Sequence, residues 1–136
     1  MDIRKFAVEE TSVIHLRSAD DELMYTDEKD PKPVEIVLYG PGSKQFNKAQ
    51  AAQQAKLMDL LRKKGKSQRS AQDAAEDQAE FLAACTKEFR NIEYDGLKGD
   101  ELYKAVYSDL SLGFIPDQVN KYLGDWANFT KPASKK

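Results

Sequence analysis

Cysteine and histidine are almost missing from this sequence: Cys85 and His15 are the only ones among 136 residues. A lone thiol cannot close an intrachain disulfide, so cysteine usage gives no argument for an oxidising, secretory setting. One imidazole and one thiol also fall short of an N/S zinc site within a single chain. His15 sits between Ile14 and Leu16 in a strand-like run, where it reads as structural rather than as the base of a nucleophile relay. Cys85 reads as a small buried hydrophobe. No apolar run approaches the ~20 residues that span a bilayer. The opening MDIRKFAVEE has no apolar stretch of the signal-peptide kind. The acids at 20–30 lack the D-x-[DN]-x-[DN]-G order of a calcium loop. These shortages predict a non-enzymatic cytoplasmic protein with no catalytic residue, metal or cofactor and no membrane contact.

Charge is plentiful, at 32% of residues, and nearly balanced at a net −2. No global field therefore draws the chain to nucleic acid. The charge is segregated, however. Residues 18–30 carry six acids against Lys29, and residues 56–69 carry six bases against Asp59. The apolar fraction of 40% is enough for one core. The length suits a single domain, placed at 1–130, with 131–136 as a disordered basic tail.

The periodicity predicts an α+β fold, mostly helical, with an N-terminal β-hairpin and about four α-helices. Strands are expected at 13–17 and 34–39, joined by an acidic connection with one further extended piece around Leu23, Met24 and Tyr25. Gly40-Pro41-Gly42 breaks the second strand, and Ser43 is placed to cap a helix over 44–64. The inner stripe of that helix is Phe46, Ala49, Gln53, Leu57, Leu60 and Leu61. Residues 65–72 have the composition of a mobile loop. The organising helix is expected at 74–92, where Phe81, Leu82, Cys85, Phe89 and Ile92 follow the 3.6-residue period. Asp100 is expected to cap a helix to about residue 109. Pro116 is expected at the first position of a last helix reaching about residue 128.

Two short patterns invite over-reading. Gly65-Lys66-Ser67 resembles the end of a phosphate-binding loop, but Leu60 stands where its first glycine belongs. Gly96-Leu97-Lys98-Gly99 matches the GxxG of an RNA-binding KH module, yet every expected strand lies before residue 40. The cluster Arg62, Lys63, Lys64, Lys66 and Arg69 has no interleaved aromatics for base stacking, so it reads as a solvated loop or a docking patch. A small nucleic-acid-binding regulator using residues 62–69 is the alternative reading. Tyr103, Tyr107, Tyr122 and Trp126 form an aromatic group that either fills the core or meets a partner.

The stretch 34–50, VEIVLYGPGSKQFNKAQ, resembles the tail-assembly chaperones of long, non-contractile-tailed bacteriophages. In that family a strand ends in a hydrophobic-Tyr/Arg-Gly-x-x-Ser turn that leads into a helix opening x-x-Phe/Tyr. Here the matching residues are Leu38, Tyr39, Gly40, Ser43 and Phe46. The resemblance implies a homo-oligomeric chaperone of the host cytoplasm that binds the tape-measure protein, recruits tail-tube subunits and is absent from the mature virion. Arg62, Lys63, Lys64, Lys66, Arg69, Tyr122, Trp126 and Phe129 are the candidate partner-binding residues. Either the hairpin edge or the aromatic C-terminal helices are expected to carry self-association.

Overall fold

A computed structural model describes residues 1–62 and 70–130. The architecture is α+β and mostly helical, as the sequence pattern predicts. Strands β1 (Thr11–His15) and β2 (Glu35–Tyr39) pair antiparallel, with Thr11 opposite Tyr39 and His15 opposite Glu35. Their connection folds back on the sheet rather than hanging free. The Met24 N–H donates to the Leu16 carbonyl at 2.9 Å, and the Val34 N–H donates to that of Met24 at 3.0 Å. That is the extended piece expected there. The His15 ring is structural: its Nε2 lies 2.8 Å from the Met24 carbonyl oxygen, and its edge meets Tyr25 at 4.9 Å.

The organising helix is shorter than its periodicity suggests, and this is the main correction. Helix α2 spans Ala71–Ala84, and Thr86–Arg90 is a third strand, β3, paired antiparallel with β2. Thr86 ends the helix. Its hydroxyl donates to the Leu82 carbonyl at 2.8 Å, taking the acceptor that the next helical N–H would use. The Cys85 carbonyl then accepts from the Tyr39 N–H at 2.7 Å, which draws the chain into the sheet. Phe89 faces inward in either conformation, so the helical offsets could not tell the two apart. The start of α2 also moves: Ser70 and Asp73 form a capping box in what reads by composition as loop. The remainder of that expected loop, 65–69, lies outside the described residues.

Three further α-helices lie among the described residues: α1 (Lys44–Arg62), α3 (Gly99–Ser108) and α4 (Phe114–Leu123), the last followed by a 3-10 turn at Trp126–Phe129. Asp100 is not the cap of α3. Lys98 holds that position without a side-chain bond, and Asp100 instead pairs with Lys104 at 3.1 Å. Pro116 is the third residue of α4, still within the first turn, where backbone N–H groups have no helical acceptor. The last predicted helix is divided by Gly124, after which Asp125 caps the 3-10 turn through the Ala127 N–H. No helix among the described residues is long and apolar enough to cross a membrane.

The core joins Ile14, Ile36 and Leu38 of the sheet to Leu82 and Ala83 of α2, Leu102, Val106 and Tyr107 of α3, and Ile115, Val119 and Leu123 of α4. Tyr107 brings a hydroxyl into this layer, and Thr86 Oγ1 meets it at 2.8 Å. Thr86 gives its proton to Leu82, so Tyr107 is the donor of that contact. Burial holds the Tyr107 phenol well above its ordinary range.

Cys85 is fully buried, and desolvation pushes its thiol up to about 12. Thiol reagents at pH 8 should therefore modify the native chain only as fast as it opens, and the urea-unfolded chain at once. The linked pH effect has a definite sign. The stabilisation is complete below the ~8.5 of an unfolded thiol and is lost as pH rises towards about 12. Urea titrations at pH 8 and 10 should show that loss, and Cys85→Ala should make it shallower.

Candidate partner-binding site

The turn between β2 and α1 carries the residues Tyr39, Gly40, Ser43 and Phe46. Ser43 is 1% exposed and uses its hydroxyl twice: it accepts the Phe46 N–H at 3.1 Å and donates to the Gly40 carbonyl at 2.7 Å. It is the helix cap expected at that position. Ser43→Ala orphans the Phe46 N–H and should cost about 1–2 kcal/mol in urea unfolding. Gly40 sits against the ring of Phe129, and a Cβ built there would lie 2.4 Å from Phe129 Cδ2. The backbone of Gly40 is not left-handed. The glycine is needed for packing, not for conformational freedom. Phe46 then sets the edge of its ring against Phe81 of α2, centroids 5.8 Å apart.

Beyond Phe46, α1 parts company with the core. Only Ala49 of this helix is buried. Of the outer half of the expected inner stripe, Leu57 is 52% exposed and Leu61 75%, while Leu60 is half-buried; Met58 beside them is 58% exposed. The reason lies in α2. Its first eight residues, AQDAAEDQ, offer no large apolar side chain for those leucines to meet. An open groove of about 280 Å³ results, lined by Ala49, Ala52, Gln53, Leu57 and Leu60 from α1 and by Phe81 and Ala84 from α2. Lys56 bridges its rim, with Nζ 3.0 Å from Asp77 Oδ1 and 2.8 Å from Glu80 Oε1. These carboxylates hold the Lys56 ammonium above its ordinary range, Glu80 contributing most. The bridge is largely solvated, so it orients the rim more than it stabilises the fold.

The other candidate residues divide. Phe129 is 1% exposed, closed beneath Gly40 and against Tyr122; it belongs to the core and not to a partner surface. Tyr122 is half-buried and ties the C-terminal segment to β1. Its hydroxyl donates to the Val13 carbonyl at 3.0 Å and lies 2.7 Å from Ser12 Oγ, which also reaches the Asn128 carbonyl at 2.8 Å. Trp126 is 57% exposed and remains available. Arg62 is exposed beside Asp59 at 3.6 Å. Lys63, Lys64, Lys66 and Arg69 lie outside the described residues, as do the Gly65-Lys66-Ser67 tripeptide and 131–136. The GxxG at 96–99 falls between β3 and α3, not between two helices, although β3 removes the objection that every strand precedes residue 40. The edges of the sheet are guarded: Tyr122 occupies part of β1, and β3 presents Lys87, Glu88 and Arg90.

Sequence reasoning missed the groove. Its signal was present in the mismatch between a leucine-bearing end of α1 and an alanine- and acid-bearing start of α2. No protein-family model, no curated protein and no solved structure matches this chain.

Proposed function

We infer that this chain is a non-enzymatic chaperone of phage tail assembly. It holds the tape-measure protein in the host cytoplasm, recruits tail-tube subunits, associates with itself and leaves before the virion is complete. The observation that carries this reading is the open α1–α2 groove, an apolar trough between two helices of the kind that receives an amphipathic helix. A tape-measure protein is long and helical, and many weak grooves would hold it through avidity. The turn through Tyr39, Gly40, Ser43 and Phe46 is consistent with the reading, because the strand end, the glycine break, the cap and the first aromatic contact of the helix fall on those residues.

The test is co-expression of the tagged full chain with the tape-measure protein encoded alongside it, nuclease treatment, and pull-down. Recovery of a soluble complex is the expected result. A tape-measure protein that stays insoluble while the chain purifies alone contradicts the reading. Salt-sensitive retention on generic duplex, lost after nuclease, would replace it with the nucleic-acid alternative.

A further inference from the structure

We propose that residues 50–62 of α1 are a flap that detaches from α2, back to Ala49, while the rest of the fold stays closed. The groove is the gap beneath that flap, so its width is set by α1 and not by a loosening of the core. The motion does not depend on what the groove receives, nor on the chaperone reading. Three observations carry it.

The first is where the anchoring stops. Up to Ala49 the helix is held. Ser43 is buried, Phe46 meets Phe81, and the Asn47 side-chain amide donates to the carbonyls of Pro41 at 3.1 Å and Ser43 at 2.7 Å. From Gln50 to Arg62 no residue is buried, and Leu60 alone is half-buried. The second is the small cost of opening. Hydrophobic stabilisation scales with the apolar area that leaves water. Leu57, Met58 and Leu61 are already exposed when the flap is closed, so lifting them uncovers little more. The ion pairs of Lys56 across the gap are solvated, and water replaces such pairs at little cost. The third is that the core does not rest on the flap. From α1 it takes Phe46 and Ala49 and no later residue. Low apolar burial beside a closed core is the pattern of a segment that opens locally. The flap sequence, QAAQQAKLMDLLR, has no glycine, proline or β-branched residue, so it is helical against α2. Detached, a helix this short is marginal in water and frays, which makes its opening visible in amide hydrogen exchange.

The experiment follows native-state amide exchange of the full chain by NMR, in water and in low urea. Amides of 54–62 should exchange at least about a thousandfold faster than those of Val106 and Val119, with the step falling just past Ala49. Urea should barely speed the flap amides, because opening exposes little new surface, and should speed the core amides steeply. Leu82→Ala weakens the core in the open and closed forms alike. It should speed Val106 and Val119 by about a hundredfold or more and leave 54–62 unchanged. Should that variant fail to fold, the urea dependence separates the two groups without it. Gln53→Leu adds apolar contact inside the groove, at nearly equal helix propensity, and should slow 54–62 by about tenfold. Flap amides as slow and as urea-dependent as the core would mean that α1 opens only with global unfolding, and would overturn the proposal. So would rates that grade smoothly from Arg62 through Ala49 to Phe46, which is ordinary fraying of a helix end, or a Gln53→Leu chain whose flap exchanges as before. None of these outcomes bears on the co-expression test, which decides the chaperone reading separately.

Discussion

Gly40→Ala should destabilise the chain by about 3 kcal/mol, among the largest effects of any small substitution in it. A methyl group there would sit 2.4, 2.5 and 2.8 Å from Cδ2, Cε2 and Cγ of Phe129. Neither side can yield cheaply. Gly40 is pinned by its N–H to the Glu10 carbonyl at 2.8 Å and by Ser43 on its own carbonyl. Phe129 is 1% exposed and closes the end of the core. Helix propensity and backbone strain play no part, since Gly40 has no left-handed φ. A double-mutant cycle isolates the cause. Phe129→Ala alone should cost about 3–5 kcal/mol. In the Gly40→Ala background it should cost at least about 1 kcal/mol less, because the clash disappears with the ring. Additive costs in urea unfolding would show that the two residues do not collide.

Leu82→Ala should cost about 3 kcal/mol, and Leu61→Ala within about 0.5 kcal/mol. Both are leucines in helices, and both lie on stripes with the period of a buried face. Alanine is an excellent helix former, so propensity does not penalise either change. The difference is burial: Leu82 is 0% exposed and Leu61 75%. Removing Leu82 leaves a void among residues fixed by the sheet and α3; removing Leu61 only replaces one solvated surface with another. Chemical denaturation of the two variants side by side checks this. If Leu61→Ala costs as much as Leu82→Ala, the end of α1 is packed rather than exposed.

The two leucines also mark where sequence reading succeeds and where it stops. Local chemistry was legible. The alternation in 34–39, the glycine break and the Ser43 hydroxyl placed β2, its end and the start of α1, because turns and caps depend on residues a few positions apart. What depended on distant partners was not. Phe89 and Ile92 extend a helical period that Thr86 cancels, and only the empty place beside β2 makes a strand of 86–90 preferable to another helical turn. Phe129 and Trp126 are both aromatic and three residues apart, yet one is core and the other surface. Phe129 packs against Gly40, nearly ninety positions earlier. The groove followed the same rule. Its leucines were visible as a stripe, but that nothing large opposes them is a property of α2.

The most direct test of the proposed chaperone role is a count. Tape-measure proteins shortened in steps by internal deletion would be co-expressed with the full chain, and the copies bound to each measured by light scattering of the purified complexes. Coating through many weak grooves predicts that the number of copies rises in proportion to tape-measure length. A fixed small number, the same for every length, would mean that the chain binds one local site, and would contradict the proposal that it sheathes the tape measure.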